Sequence, residues 1–284
     1  MKVFNGNVSK RMLSGLNGVN GLIWLKGLVA WALMAVMGWC SGAHADEVSV
    51  AVAANFSLPM QKIAAQFERD SGHRVLATSG STGQFYAQIK AGAPYQVLLA
   101  ADESTPVKLE QEGLAIGGSR FTYARGKLVL WSAKAGLVDA QGEVLKTRKG
   151  SDGSPLDKQD KSAKLAIADP KLAPYGQAAV QTLTRLGLME TWKSQLVMGV
   201  NIGQTHQFVA TENAAMGFVA LSQVWKEGQL SEGSVWWVPP SLYDPLLQDA
   251  VLLRAGQGKV GAQAFLDFLR TDKAKQIMRG FGYD

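Results

Sequence analysis

The segment that decides the fold runs from Val48 to Gly113 and reads VSVAVAANFSLPMQKIAAQFERDSGHRVLATSGSTGQFYAQIKAGAPYQVLLAADESTPVKLEQEG. Three short apolar runs of buried-strand length occur in it: Val48–Val52, Arg74–Thr78 and Gln96–Ala100. Longer stretches with apolar residues at helical spacing follow each run, and each of these stretches ends at a glycine. This alternation of strand and helix predicts a parallel, doubly wound α/β sheet.

The pattern continues towards the C-terminus. Further strands are predicted over Lys127–Ser132, Leu165–Ala168, Met216–Ala220 and Leu247–Leu253, with helices over about 175–186 and 203–212. We expect two α/β lobes, residues 46–126 plus 240–284 and residues 127–239, each a mostly parallel sheet flanked by helices. Crossings near Gly126 and Pro239 would form a hinge, and a ligand cleft would lie between the lobes. The polar stretch from Lys146 to Lys164 is typical of a solvated loop.

The first 45 residues have the three parts of a secretory signal peptide. Four basic residues and no acidic one are followed by an apolar run, Leu28–Met37, and by the A-x-A pattern Ala43-His44-Ala45. Cleavage after Ala45 is expected. Two alternatives stay open: an uncleaved anchor, although the run is short for a membrane span, and a lipoprotein joined through Cys40, which the bulky Trp39 disfavours.

The composition of residues 46–284 excludes several kinds of chemistry. The net charge of the whole chain is +6, and four of the positive charges lie in the leader, so the remainder carries only +2 and has no nucleic-acid signature. The single cysteine also lies in the leader, which leaves neither disulfides nor thiol chemistry. His73 and His206 are not clustered, so neither a zinc site nor a cofactor is expected.

Four strand-to-helix corners have a composition that favours anion binding: Ala53–Ser57, Ser79–Gly83, Ala173–Gly176 and Asn201–Gln204. Ligands of open α/β sheets bind beyond the carboxyl ends of the strands, where helix N-termini point. The corners are small, polar or glycine-bearing, and none contains a charged residue. Main-chain N–H groups and helix dipoles could therefore hold a fully ionised oxyanion, whereas a carboxylate would more often meet an arginine. Ordinary helix capping explains any one corner, so the interpretation depends on all four together.

Six short motifs occur in order along residues 46–284: Ala53-Ala54-Asn55-Phe56, the Ser79–Gly83 turn, Ala91-Gly92-Ala93-Pro94-Tyr95 with Ala101-Asp102, Asp169-Pro170 with Ala173-Pro174-Tyr175-Gly176, Gly217-Phe218-Val219-Ala220, and Gly280-Phe281-Gly282-Tyr283. In this ordered set the chain resembles the periplasmic molybdate/tungstate-binding proteins of ABC importers. The resemblance implies a type II periplasmic-binding-protein fold and a monomer without enzymatic activity. Such a protein captures an oxyanion in the periplasm and delivers it to a membrane permease.

The resemblance also implies the binding residues: Ala54, Asn55, Ser81, Thr82, Tyr175 and Ile202. Asn55 and Thr82 would donate from both side chain and backbone, and Tyr175 and Ile202 from their main-chain N–H groups. The protein would contact the oxygens of the anion and supply no direct ligand to the metal. Some members have a tyrosine where this chain has Ala220, so that donor would be missing unless Tyr175 replaces it. Molybdate and tungstate are too similar in size and charge for the sequence to separate them.

Three other functions are less well supported by the sequence. An iron(III) or carboxylate carrier could use the same architecture, but iron needs clustered ligands, and Tyr123, Tyr175 and Tyr243 are scattered along the chain. An exported hydrolase could use Ser81, yet the turn does not match G-x-S-x-G and no paired base is evident. The leader peptide argues against the sensing domain of a regulator.

The remaining prominent residues have structural interpretations. Trp131, Trp236 and Trp237 are expected to pack in the core or between the lobes. Asp102, Asp169 and Asp244 are expected to be caps and turn formers near the rim of the cleft. His206 is expected to lie behind the residues that contact the ligand, or to be exposed.

Overall fold

The computed structural model describes residues 46–149, 153 and 163–284. The strands of these residues form two five-stranded sheets and one two-stranded ribbon. The expected leader and most of the loop expected over 146–164 lie outside the described residues. Within the described part of the chain, no helix combines the length and the apolar character that a membrane span requires.

The first sheet contains β1 (Glu47–Ala53), β2 (Arg74–Gly80), β3 (Val97–Leu99), β4 (Phe121–Gly126) and β12 (Leu246–Leu252). Its order is β2-β1-β3-β12-β4. The helices that accompany it are α1 (Ser57–Ser71), α2 (Thr82–Lys90), α3 (Ser104–Gln111), α9 (Val260–Leu269) and α10 (Asp272–Gly280). A 3-10 turn, Ala54–Phe56, connects β1 to α1. We call this part of the molecule lobe 1.

The second sheet contains β5 (Leu128–Ser132), β6 (Leu165–Ala168), β7 (Leu196–Gly199), β8 (Met216–Ala220) and β11 (Ser234–Trp237). Its order is β11-β5-β8-β6-β7. The helices of this part, lobe 2, are α4 (Val144–Thr147), α5 (Pro174–Arg185), α6 (Met189–Trp192), α7 (Ile202–Ala210) and α8 (Leu221–Val224). The ribbon pairs β9 (Trp225–Lys226) with β10 (Gln229–Leu230). Three further 3-10 turns are Lys193–Gln195, Pro240–Leu242 and Arg254–Gly256.

The two-lobed α/β architecture agrees with the prediction, but the sheets are mixed rather than mostly parallel. In lobe 1, β1 is parallel to both of its neighbours, whereas β12 is antiparallel to β3 and β4. In lobe 2, β6 is parallel to β7 and β8, whereas β5 is antiparallel to β8 and β11. The reason in lobe 1 is that the returning chain inserts β12 between β3 and β4. The lobe boundaries given above stay a prediction.

The starts of the helices depend on local capping. Ser81 is the N-cap of α2: its hydroxyl accepts from the Gln84 N–H, and the Gln84 side chain accepts from the Ser81 N–H, each at 3.4 Å. Ser57 is the first residue of α1, which directly follows the 3-10 turn Ala54–Phe56. The glycine expected to end α1, Gly72, lies just after it with φ +76°.

Both lobes have apolar cores. In lobe 1, α1 buries Met60, Ile63 and Phe67, the face that its spacing predicted. The Phe67 ring meets that of Phe265 edge to face, with centroids 5.3 Å apart. In lobe 2 the largest buried side chains include Trp192, whose indole N–H donates to the carbonyl oxygen of Leu145 at 3.0 Å. These cores hold the ends of the strands, and therefore the corners, in fixed positions.

The tryptophan expectation is correct for Trp131 and Trp236, which are buried, but wrong for Trp237, which is 45% exposed. Trp237 ends the edge strand β11 and meets the ring of Trp225 edge to face. His206 differs from expectation as well. It stacks on Trp131 with ring centroids 4.9 Å apart, so it belongs to the packing of lobe 2.

His206 is expected to make the stability of the protein depend on pH. Burial lowers the pKa of His206 below its ordinary value near 6.5. As the pH falls through that ordinary value, the unfolded chain takes up a proton that the folded chain resists. The free energy of unfolding should then decrease, down to the lowered pKa, by less than about 1.4 kcal/mol for each pH unit. Urea unfolding between pH 7.5 and 5 should show this slope. In the His206→Phe variant, the contribution of His206 to the slope should be absent. An unchanged slope in the variant would contradict this origin.

Candidate functional site

All four predicted corners meet at one small cavity between the lobes. Its empty volume is about 190 Å³. The cavity is lined by Ala53, Ala54, Asn55, Gly80, Ser81, Thr82, Ala101, Ala173, Pro174, Tyr175 and Ile202. The six residues that the sequence analysis selected are all in this set. The structure therefore brings together every predicted site residue, from positions as far apart as 54 and 202.

The cavity lies at the N-termini of three α-helices. Thr82 is the first residue of α2, Tyr175 follows Pro174 at the start of α5, and Ile202 is the first residue of α7. The N–H groups in the first turn of an α-helix have no hydrogen-bond acceptor within the helix. Because Pro174 has no N–H group, Tyr175 has the first main-chain donor of α5. The three helices also direct the positive ends of their dipoles to one place, which favours an anion.

Two hydroxyl groups add neutral donors. Thr82 Oγ1 accepts from the Ala101 N–H at 3.0 Å, and Ser81 Oγ accepts from the Gln84 N–H at 3.4 Å. A hydroxyl can accept such a bond and still donate its own proton. Both side chains are buried, at 1% and 3% exposure, so a ligand in the cavity would be their partner. The Thr82 hydroxyl proton and main-chain N–H are thus both left for a ligand.

No residue that lines the cavity carries a charge. The nearest acid in the sequence is Asp102, next to Ala101. Its carboxylate accepts from the Thr105 N–H at 2.7 Å at the start of α3, and burial raises the pKa of Asp102. Asp169 likewise accepts from the Lys171 N–H in a turn, at 2.9 Å. Both agree with the expected roles as caps and turn formers.

Asp244 differs from the expectation of a cap or turn. Its carboxylate accepts from Arg185 at 2.6 Å and from the Gln181 side chain at 2.7 Å. Both partners lie on α5. The contact therefore attaches the segment before β12 to a helix of lobe 2.

Asn55 takes part in a buried hydrogen-bond network beside the cavity. Its Nδ2 donates to Gln248 Oε1 at 3.0 Å and to the Tyr283 hydroxyl at 2.8 Å. Gln248 also accepts from the Tyr123 hydroxyl and donates from Nε2 to the Tyr175 hydroxyl, both at 3.0 Å. Asn55 Oδ1 is buried and has no partner among the described residues. In this orientation of the amide, both side-chain donors of Asn55 are used within the protein.

The tyrosines of this network are neutral at physiological pH. Burial raises the pKa of Tyr283 to about 12 and the pKa values of Tyr123 and Tyr175 well above the ordinary one. Their hydroxyls therefore keep their protons and place no negative charge beside the cavity. The Tyr175 hydroxyl accepts from Gln248 Nε2, and the Tyr175 main-chain N–H is the first donor of α5. Ala220, at the position where some members of the resembling family have a tyrosine, is a buried residue at the end of β8.

The lobes are in contact around the cavity. The Gly83 N–H of α2 donates to the carbonyl oxygen of Leu172 in lobe 2 at 2.9 Å. The Ser222 hydroxyl in α8 donates to the carbonyl oxygen of Asn55 at 2.7 Å. These bonds, together with that between Gln248 and Tyr175, join the two lobes beside the cavity.

Sequence reasoning missed Gln248, Tyr283 and Ser222. Each reaches the site through contacts with residues far away in the sequence, and no local motif distinguishes Gln248. The view that the tyrosines are scattered was wrong for Tyr123 and Tyr175, which both contact Gln248. Among the described residues there is no group of three or more His, Cys, Asp or Glu that could hold a metal ion.

The fold and the cavity define a binding protein with two lobes and a ligand site between them. Residues 48–284 match the family of bacterial extracellular solute-binding proteins, and the chain belongs to that family.

Two relatives are particularly similar. The chain is 56% identical to the molybdate-binding protein ModA of Azotobacter vinelandii over 85% of this chain and 91% of the relative. It is 50% identical to ModA of Rhodobacter capsulatus over 89% and 94%. Among solved structures, the periplasmic molybdate-binding protein of Azotobacter vinelandii superposes with a TM-score of 0.76 and 41% identity, covering 84% of this chain and 98% of that one.

Proposed function

We propose that this protein binds a fully deprotonated tetrahedral oxyanion, molybdate or tungstate, and delivers it to the permease of an ABC importer. The observation that carries the proposal is the uncharged cavity at three helix N-termini, lined by main-chain N–H groups and hydroxyls. Such donors stabilise negative charge without a cationic side chain. The names of the relatives that are 56% and 50% identical support molybdate as the anion.

The site suits an anion that needs only donors. Main-chain N–H groups donate hydrogen bonds and cannot accept them. The proton of a protonated anion would therefore find no partner among them, whereas a naked dianion needs none. Sulfate has the same charge and shape as molybdate but is smaller. Contacts from both lobes would therefore select molybdate by the size of the closed cavity. The names of the relatives also support export to the periplasm, with cleavage after Ala45 as the expected processing step.

Calorimetric titration of the purified protein with molybdate, tungstate, sulfate and phosphate tests the proposal. We expect one site per chain, sub-micromolar Kd values for molybdate and tungstate, and binding of sulfate and phosphate weaker by at least about a hundredfold, or ~2.7 kcal/mol. Tight binding of sulfate or phosphate without binding of molybdate would refute it.

The exported hydrolase is less well supported by the geometry. Ser81 is a helix N-cap whose hydroxyl accepts from a main-chain N–H group. A serine nucleophile needs a base within hydrogen-bonding distance, and no His, Asp or Glu lines the cavity.

A further inference from the structure

We propose that Gln248 is a positioning residue for anion binding, which turns the side-chain amide of Asn55 so that Nδ2 faces the cavity. This inference rests on the proposed function. Asn55 lines the cavity with 1% of its surface exposed, and Gln248 is fully buried on β12 behind it. The two amides are in direct contact at 3.0 Å.

The Asn55 side chain has an unpaired oxygen atom, Oδ1. With Asn55 Nδ2 bonded to Gln248 and Tyr283, the end of the amide left over is Oδ1, an acceptor. A buried acceptor without a partner is unfavourable, because it has given up its hydrogen bond to water. In this orientation an oxygen atom would also face the oxygens of a naked dianion, and the two would repel. The orientation therefore does not suit a site that is occupied by an anion.

A half-turn of both amides exchanges N and O in each and leaves all distances unchanged. Gln248 Nε2 then donates to Asn55 Oδ1 and to the Tyr123 hydroxyl, whose own proton goes to the carbonyl oxygen of Ala100 at 3.1 Å. The Tyr175 hydroxyl donates to Gln248 Oε1, and the Tyr283 hydroxyl donates to Asn55 Oδ1. Every acceptor in the pair of amides now has a donor.

After the half-turn, the one unpaired group is the Nδ2 amide of Asn55, a donor in a cavity built of donors. Its direction depends on Gln248, because only a side chain that both donates to Asn55 and accepts from Tyr175 fixes the two amides together. Tyr175 belongs to lobe 2 and Gln248 to lobe 1, so the bond between them joins the two lobes beside Asn55.

The test uses Gln248→Glu and Gln248→Met, with Gln263→Met on the exposed face of α9 as the matched control. A carboxylate at position 248 only accepts, so it would take the Asn55 Nδ2 protons and turn Oδ1 to the cavity. We expect the Kd for molybdate to rise at least about tenfold in both variants, the effect of one lost hydrogen bond to a charged group. In Gln248→Glu the ratio of molybdate to hydrogen phosphate affinity should also fall at least about tenfold, because an acceptor repels a naked dianion but accepts the phosphate proton. The added negative charge weakens both dianions alike and leaves their ratio unaffected.

A double-mutant cycle separates positioning from packing. If Gln248 acts through Asn55, then Gln248→Met should have little further effect on molybdate affinity in an Asn55→Ala background. The proposal would be overturned if Gln248→Met lowered molybdate affinity equally in the wild-type and Asn55→Ala backgrounds and Gln248→Glu left the ratio of molybdate to hydrogen phosphate affinity unchanged. The proposed function would still stand in that case, provided that the wild type binds molybdate. Failure of the wild type to bind molybdate would overturn both.

A measurement on the wild type serves if the variants do not fold. The side-chain NH₂ resonances of Asn55, assigned by their absence in Asn55→Ala, should shift strongly when molybdate is added. If they stay where they are while main-chain resonances of the cavity move, the amide nitrogen does not face the anion and the proposal is wrong.

Discussion

Ser81→Asp is expected to abolish molybdate binding while leaving the fold intact. Aspartate is as good an N-cap as serine, so the bond to the Gln84 N–H can persist and α2 keeps its start. The new carboxylate would, however, lie against a dianion in a closed cavity. At about 4 Å and an effective dielectric constant near 20, each pair of unit charges costs ~4 kcal/mol. An affinity loss of at least about a thousandfold should follow, measured by calorimetry.

Ser81→Asn is the matched control for that experiment. Asparagine caps a helix as well as aspartate does and carries no charge. Its affinity for molybdate should lie much closer to that of the wild type, and the thermal unfolding of both variants should resemble the wild type. Equal affinities in Ser81→Asp and the wild type would mean that the anion does not bind at this corner.

Gly176→Ala is expected to destabilise the protein and weaken anion binding together. A Cβ atom at Gly176 would lie 2.2 Å from the carbonyl oxygen of Ala168, at the end of β6. Backbone atoms cannot yield as a flexible side chain can, so the start of α5 must move. Overpacking of this kind costs about 1–3 kcal/mol. The Tyr175 N–H would move with the helix, and the Kd for molybdate should rise at least about tenfold, the effect of one hydrogen bond to a charged group.

The sign of the stability change distinguishes a glycine packed against β6 from an ordinary glycine in a helix. At an unconstrained helical position, replacing glycine with alanine stabilises by ~1 kcal/mol. Gln177→Ala, at the exposed next residue, should leave stability and affinity almost unchanged. Urea unfolding and calorimetry measure both quantities. A Gly176→Ala protein more stable than the wild type, with full affinity, would show that α5 does not contact β6 as described.

The sequence predicted the parts of the fold that depend on local patterns. The strands β1, β6 and β8 follow from short apolar runs, and the apolar face of α1 follows from helical spacing. The mixed sheets could not be predicted in this way, because β12 joins the first sheet from more than a hundred residues after β4. Short edge strands such as β7 were missed because their side chains are partly exposed and show no clear alternation.

Some residues of the candidate site could be predicted from local sequence, and others could not. Ser81, Thr82, Tyr175 and Ile202 stand at helix starts, and the composition of a corner can be read locally. Their convergence depends on how two lobes close, which no local pattern contains. Gln248 lies in a strand that reads as ordinary core, and it acquires its role only through contact with Asn55, 193 residues away in the sequence. Buried polar side chains of this kind are recognised when a structure shows their partners.

A crystal structure of the protein grown with molybdate, recorded at an X-ray energy where molybdenum scatters anomalously, is the most direct test of an anion site without cations. We expect one anomalous peak between the four corners, with the anion's oxygens within hydrogen-bonding distance of the Thr82, Tyr175 and Ile202 N–H groups and of no lysine or arginine. A peak elsewhere, or a basic side chain bonded to the anion, would contradict this account.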